Sequence, residues 1–72
     1  MKTFANALST RSKNGLHRSF GWEVWQNPEH IATAGPERLR MTPQLGPKSL
    51  LEIADLLYEF GYIDDGEIWL GS

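Results

Sequence analysis

The sequence predicts an all-α domain, built as a compact bundle of four to five short helices. Three observations predict it: clear helix starts, apolar residues three and four positions apart, and only one strand-like alternation, which has no second strand to pair with. The chain has 72 residues, of which 40% are hydrophobic, enough for one small core. We therefore expect a single helical domain over residues 1–72, with a core at about 8–63 and a C-terminal tail at 64–72.

The first predicted helix covers residues 12–20 and begins at Ser12, a residue type that is favoured at the N-cap. Leu16 and Phe20 lie four positions apart and therefore share one face of this helix. Gly15 weakens the helix by about 1 kcal/mol relative to alanine. We therefore expect another group to approach the helix backbone at this position.

The next segment, residues 21–25, alternates like a strand but lacks a partner, so we expect it to extend the helix or to form a turn. Either arrangement places Trp22 or Trp25 in the core. A second helix is predicted to begin at Asn27-Pro28 and to end at Gly35. Asparagine is favoured at the N-cap, proline at the first helical position and glycine after the last turn.

A short helical turn is predicted at residues 37–41, with Leu39 and Met41 directed inward, followed by a hairpin at residues 42–46. The last helix, residues 47–60, is the best-defined element because its apolar residues form a continuous stripe. The stripe consists of Leu50, Ile53, Leu57 and Phe60, widened by Leu51, Ala54 and Tyr58.

Gly61 is the predicted C-cap of this last helix, since glycine tolerates the left-handed conformation in which many helices end. The tail that follows is polar at first and apolar near its end. Three of its residues are expected to fold back onto the core: Ile68, Trp69 and Leu70.

The charges are distributed unevenly along the chain. The net charge is −2, but all seven Lys and Arg residues lie at or before Lys48, which gives residues 1–48 a charge of +4 and residues 49–72 a charge of −6. This asymmetry predicts one basic and one acidic face, as expected of a module that meets DNA on one side. The acidic part is either a solvated helix face or a contact for basic partner proteins.

The composition argues against several classes of function. No cysteine is present, which excludes disulfides and thiolate zinc sites. His17 and His30 have no companion ligand at metal-binding spacing, and no catalytic set stands out, so we expect no metal, no cofactor and no enzymatic activity. No segment approaches the roughly 18 apolar residues of a membrane span, and residues 1–8 do not resemble a signal peptide. We therefore expect a cytoplasmic protein with no membrane partner.

The start of the last helix is the strongest functional signal. Gly46-Pro47 leads directly into the helix, whose first turn carries Lys48 and Ser49. Backbone N–H groups at a helix N-terminus have no intrahelical partner and carry partial positive charge. Such an end is suited to hold a phosphate group. Together with the basic segment around Arg11, it indicates a nucleic-acid-binding domain.

Two motifs resemble the C-terminal domain of the bacterial RNA polymerase alpha subunit. Residues 11–16 read Arg-Ser-Lys-Asn-Gly-Leu, and residues 38–53 read Arg-Leu-Arg-Met-Thr-Pro-Gln-Leu-Gly-Pro-Lys-Ser-Leu-Leu-Glu-Ile. The family pattern is Arg-Ser-x-Asn-x-Leu, followed by Leu-Leu-x-Thr-Pro-Asn-Leu-Gly-x-Lys-Ser-Leu-x-Glu-Ile. The similarity covers roughly residues 8–63.

The resemblance implies a helix-hairpin-helix fold that binds A/T-rich promoter DNA through the minor groove and that also meets transcription activators. It implies that Arg11 enters the minor groove and that the hairpin and helix start hold a phosphate. Glu52 would be a carboxylate beside the DNA surface, which we expect to orient Arg11 or Lys48. The residues that the resemblance assigns to DNA contact are Arg11, Asn14, Gly15, Gly46, Lys48, Ser49 and Glu52.

The chain departs from the family pattern in three ways. Pro47 replaces a residue that is commonly basic, about four extra residues lie near 21–27, and the sequence begins almost where the domain begins. A small module without a tether should bind DNA non-specifically at only about 10⁻⁴ to 10⁻⁶ M. We therefore expect the protein to dimerise, to dock on a partner or to be abundant; the sequence leaves its oligomeric state open.

The leading hypothesis is a DNA-binding module of bacterial or phage transcription, associated with the nucleoid. The alternative is a protein-interaction module that docks on RNA polymerase, a sigma factor or an activator without binding DNA. A third hypothesis, a helix-hairpin-helix accessory of repair or recombination, predicts a preference for junctions or single strands. Trp22 and Trp25 are candidates for base stacking, although tryptophan in a small domain is more often part of the core.

Overall fold

The computed structural model describes residues 2–71, and within that range the chain is helical without a β-strand. The all-α prediction is confirmed. Six α-helices are joined by short loops and by one 3-10 turn, Val24–Gln26. In chain order they are α1 (Phe4–Ala7), α2 (Thr10–Phe20), α3 (Pro28–Ala34), α4 (Glu37–Arg40), α5 (Pro47–Glu59) and α6 (Gly66–Gly71).

Helix α2 begins two residues earlier than the sequence predicted. Its N-cap is Ser9, whose hydroxyl accepts a hydrogen bond from the backbone N–H of Ser12 at 3.2 Å. The prediction that Ser12 is the N-cap is therefore wrong; Ser12 lies inside the first turn and is fully buried. The earlier start places Arg11 on the helix itself, where its direction is set by the helical backbone.

The segment between α2 and α3 forms a turn, which was one of the two predicted alternatives. Val24 is fully buried there, Trp25 packs against the core and Trp22 is 40% exposed. Helix α3 follows from Pro28 and ends at Gly35, as predicted. Gly35 has a φ of +81°, a conformation that glycine adopts without strain.

Helix α5 ends in a Schellman motif around Gly61, which has a φ of +83°. The Gly61 N–H donates to the Tyr58 carbonyl at 3.0 Å, and the Tyr62 N–H donates to the Leu57 carbonyl at 2.8 Å. The C-cap residue is Phe60, so the predicted glycine lies one position after it. The motif turns the chain back toward α1, where the Phe4 ring packs edge-on against the rings of Phe60 and Tyr62.

The core is formed by one apolar cluster to which almost every element contributes. Its buried members are Phe4, Leu8, Leu16, Val24, Ile31, Leu39, Leu45, Ile53 and Leu57. Met41 was expected in this cluster but is 83% exposed, because α4 ends at Arg40 and the chain there turns outward into the hairpin. Leu51 and Tyr58 are also exposed, since the core contacts only the narrower stripe of α5.

The predicted tail is helix α6, which packs against α5. Trp69 folds back as expected, and its indole N–H donates to the Ala32 carbonyl at 3.0 Å. Leu70 is partly buried, whereas Ile68 is 70% exposed. The core therefore extends from Phe4 to Trp69, beyond the predicted range of 8–63. The last predicted tail residue, Ser72, lies outside the described residues.

Two contacts fix the hairpin and α5 against α2. The first is the carboxylate of Glu52, which accepts hydrogen bonds from the Ser9 N–H at 3.2 Å, from the Ser9 hydroxyl at 2.8 Å and from the Ser12 hydroxyl. We expected Glu52 to orient Arg11 or Lys48, but its hydrogen-bond partners are the two serines. One carboxylate thus joins the N-terminus of α2 to the second turn of α5.

The second contact is between Gly15 and Leu45. Gly15 is buried in α2, and a methyl group at its Cα would overlap the Leu45 side chain, which is only 5% exposed. The expectation that another group approaches this backbone is correct, and that group is the hairpin. The family-based assignment of Gly15 to DNA contact is therefore corrected: the space above it is filled by Leu45.

We predict that Gly15→Ala destabilises the fold even though alanine is the better helix former. Overlap with Leu45 should cost about 1–3 kcal/mol, more than the helix propensity of up to about 1 kcal/mol that alanine gains. Thermal or urea unfolding would measure the change. Gly66→Ala is the matched control, because a methyl group there meets Ala54 atoms at 3.7–3.8 Å, an ordinary contact distance. A stabilised Gly15→Ala variant would contradict the described packing.

We also predict that Glu52→Ala lowers the free energy of unfolding by about 1–3 kcal/mol, because the buried Ser12 hydroxyl loses its acceptor. Glu59→Ala, which removes an exposed carboxylate from the same helix, should change stability by less than about 0.5 kcal/mol. Equal effects of the two substitutions in urea unfolding would show that the serine–carboxylate cluster contributes nothing specific.

Candidate nucleic-acid interface

The two motifs that are distant in sequence meet at one surface. A cleft of about 480 Å³ is lined by Arg11 and Asn14 from α2 and by Pro43, Gln44 and Gly46 from the hairpin. The structure therefore brings together three of the residues that the resemblance assigned to DNA contact. Arg11, Asn14 and Gly46 are all exposed on this surface.

The hairpin is held in a defined shape by short-range hydrogen bonds. The Thr42 hydroxyl donates to the Arg38 carbonyl at 3.0 Å, and the Leu45 N–H donates to the Thr42 carbonyl at 3.0 Å. Thr42 and Leu45 are buried, whereas Pro43 and Gln44 between them are exposed. The hairpin thus presents Pro43 and Gln44 at the cleft while its two buried residues anchor it.

Pro43 and Gln44 are cleft residues that the sequence analysis did not assign to DNA contact. Both lie within the second motif, so the motif carried the signal. The resemblance assigned Gly46 and the helix start to DNA contact, but not Pro43 and Gln44 at the tip of the hairpin. Turn residues generally lie at the protein surface, so the exposure of Pro43 and Gln44 could have been predicted from the turn alone.

No side chain in the described part of the chain caps the N-terminus of α5. Gly46 is the N-cap residue, Pro47 occupies the first helical position, and the first backbone bond into the helix runs from the Leu50 N–H to the Gly46 carbonyl at 3.1 Å. The amides of Lys48 and Ser49 therefore have no partner within the helix. Pro47 has no N–H, so the terminus offers two amides rather than three.

Lys48 and Ser49 differ in what they can offer. The Lys48 side chain is exposed and lies two residues after the cleft residue Gly46. Ser49 is only 6% exposed, so it presents much less surface to a ligand than Lys48 does. Ser49 can contribute its backbone amide, while Lys48 can contribute both an amide and an ammonium group to an anion at this end.

The electrostatics of the cleft favour an anion. Arg11 is exposed, and within residues 2–71 it forms no ion pair. Glu52, the first acidic residue of α5, accepts hydrogen bonds from Ser9 and Ser12 and not from Arg11. The guanidinium of Arg11 is therefore available to an external partner, and the dipole of the 13-residue helix α5 adds partial positive charge beside it.

The two histidines have aromatic surroundings. The His30 ring lies edge-on to the rings of Phe20 and Trp22, with centroids 5.6 and 5.5 Å away, and the His17 ring lies 6.3 Å from that of Trp25. Across residues 2–71 no cluster of three or more potential ligands is placed to hold a metal ion. The same residues include no helix with the length and apolar character needed to cross a membrane.

Comparisons of the chain with protein-family models, with characterised proteins and with solved structures find no match. The resemblance to the polymerase alpha C-terminal domain therefore stays a prediction that rests on the two motifs. What the structure adds is their placement: Arg11 and Asn14 of the first motif lie across one cleft from Pro43, Gln44 and Gly46 of the second.

Proposed function

We propose that this protein is a DNA-binding module that contacts A/T-rich duplex DNA through the minor groove and the phosphate backbone. The observation that carries the proposal is the cleft in which Arg11, which forms no ion pair within residues 2–71, lies beside the hairpin and the start of α5. Arginine side chains and backbone amides are among the groups with which proteins contact the phosphates of DNA. Their convergence from two distant motifs gives the surface a defined geometry.

In this proposal Arg11 enters the minor groove. A narrow A/T-rich groove concentrates negative potential and attracts a guanidinium. Asn14, one turn further along α2, contacts the adjacent sugar-phosphate backbone. Lys48 and the amides at the start of α5 hold a second phosphate, and Gly46 in the cleft allows close approach because it has no side chain.

The contact area limits the affinity. A cleft that neutralises two to three phosphates should give a log–log dependence of the binding constant on salt with a slope of roughly −2 to −3. Binding in the range of about 10⁻⁴ to 10⁻⁶ M is expected for such a module alone. We therefore propose that it acts together with a partner or as more than one copy, since linked contacts raise the effective concentration.

A second candidate function is favoured by the outer face of α5. Leu51 and Tyr58, which are 54% and 58% exposed, lie seven positions apart with the exposed Asp55 between them, so all three share one helix face. An acidic face with exposed apolar residues is suited to a basic amphipathic partner. In this alternative the module docks on a transcription protein such as polymerase, a sigma factor or an activator without binding DNA.

The DNA-binding proposal predicts different consequences for its two main cations. Arg11→Ala should weaken binding to an A/T-rich duplex by about 1–3 kcal/mol and reduce the preference over a G/C-rich duplex, because the groove contact is lost. Lys48→Ala should weaken binding to both duplexes equally and make the salt slope less negative by about 1. Fluorescence anisotropy with both duplexes at several salt concentrations measures these effects.

Lys13→Gln is the matched control, since it removes one positive charge from α2 outside the cleft. It should change affinity far less than Arg11→Ala. Equal losses of affinity for Lys13→Gln and Arg11→Ala would show that binding depends on general charge attraction and not on the cleft. Binding that is unaffected by Arg11→Ala and Lys48→Ala would reject the proposal.

A further inference from the structure

A second cleft opens on the far side of Pro43. Its volume is about 420 Å³, and it is lined by Arg18, Ser19, Arg38, Met41, Thr42 and Pro43. Pro43 also lines the first cleft, so the two depressions adjoin across this one residue. The resemblance assigned no role to Arg18, Ser19 or Arg38, and the proposed function does not use them.

Helix α2 connects the two clefts. Arg11, Asn14 and Arg18 occupy positions i, i+3 and i+7 of one α-helix, which places them in a row on the same face. The row passes from the first cleft, lined by Arg11 and Asn14, to the second, lined by Arg18. Seven residues of α-helix span about 10 Å along its axis.

Arg38 is positioned at the second cleft by an aromatic ring. Its guanidinium carbon lies 5.1 Å from the centroid of the Phe20 ring, a cation–π contact. A guanidinium in such a contact can still donate through its N–H groups, which lie in its own plane. Within residues 2–71 neither Arg38 nor Arg18 is paired with a carboxylate. The cleft therefore holds two arginines whose charge is not neutralised.

Ser19 adds an independent indication of a ligand. Its hydroxyl oxygen is buried and is the one buried side-chain polar atom in residues 2–71 that has no hydrogen-bond partner. An unsatisfied buried hydroxyl is unfavourable and is uncommon without a functional reason. The other hydroxyl at this cleft, that of Thr42, already donates to the Arg38 carbonyl. A rotation of the Ser19 side chain toward the cleft would let it donate to an acceptor held by the two arginines.

We propose that the second cleft binds a backbone phosphodiester of the same duplex that Arg11 contacts, held by Arg18 and Arg38 with Ser19 as an additional donor. The spacing along α2 fits this ligand, because the four residues from Asn14, the proposed backbone contact, to Arg18 span about 6 Å, close to two nucleotide steps at about 3.4 Å of axial rise each. The DNA strand then follows α2, with Pro43 lying between two phosphate contacts. This inference rests on the proposed function, and it makes the protein surface that contacts DNA about twice as large.

The proposal changes the expected salt dependence of the unaltered protein. One additional neutralised phosphate steepens the log–log slope from roughly −2 to −3 to roughly −3 to −4. The double variant Arg18→Gln/Arg38→Gln should return the slope to the shallower range and weaken binding at least tenfold near 0.1 M salt. Ser19→Ala should weaken binding about twofold to fivefold and leave the melting temperature unchanged or higher.

Lys13→Gln/Arg40→Gln is the matched control. It removes two positive charges from the same two helices, α2 and α4, at residues that line neither cleft. Anisotropy titrations of an A/T-rich duplex over a series of salt concentrations compare the two double variants. Melting curves measured by circular dichroism establish that each variant is folded. Equal slopes for the two double variants would overturn the proposal.

The design separates failure of this inference from failure of the proposed function. If Arg11→Ala and Lys48→Ala weaken binding but the Arg18/Arg38 double variant does not, the second site is wrong and the first stands. If no substitution in either cleft weakens binding, the proposed function itself fails. Separate NMR titrations with inorganic phosphate and with the duplex test the ligand. A Ser19 amide signal that shifts with phosphate but not with the duplex would also overturn the proposal.

Discussion

The carboxylate of Glu52 is the constraint on which the candidate surface depends. It lies on α5 and accepts hydrogen bonds from Ser9 and Ser12 at the start of α2, which lie 43 and 40 positions earlier in the chain. Ser9 also caps α2 through its own hydroxyl. The same cluster therefore fixes where α2 begins and how α2 sits against α5. Because Arg11 lies in the turn between these two serines, its position relative to the hairpin follows from this contact.

A second constraint complements the first. Gly15 lets the buried Leu45 approach the backbone of α2, so the hairpin lies directly on the helix face next to Arg11 and Asn14. Polar bonding at the helix start and apolar packing one turn later together define both the angle and the distance between the two segments. Two rigid elements that meet in this way can present cationic groups with little cost in conformational entropy on binding.

Much of the fold was accessible from the sequence because its helix signals are local. Asn27-Pro28, Gly35 and Gly61 predicted helix ends that the structure confirms within one residue. Long-range contacts could not be predicted in the same way. Ser12 has the chemistry of an N-cap, yet Ser9 takes that role because Glu52 binds both serines. Met41 was expected to face the core as part of a helical turn, but α4 ends at Arg40 and Met41 is exposed. Gly15 signalled a close approach without identifying Leu45, and the place of Arg38 at the second cleft involves a cation–π contact with Phe20 that the sequence did not indicate.

The most direct test is an NMR titration of the isotope-labelled chain with an A/T-rich duplex. The central claim is that residues 11–14 of α2 and residues 43–48 of the hairpin and α5 form one binding surface. It predicts that amide signals of both segments shift together with a single dissociation constant, while signals on the outer face of α5 around Asp55 stay in place. Shifts confined to that outer face, or to only one of the two segments, would contradict the account.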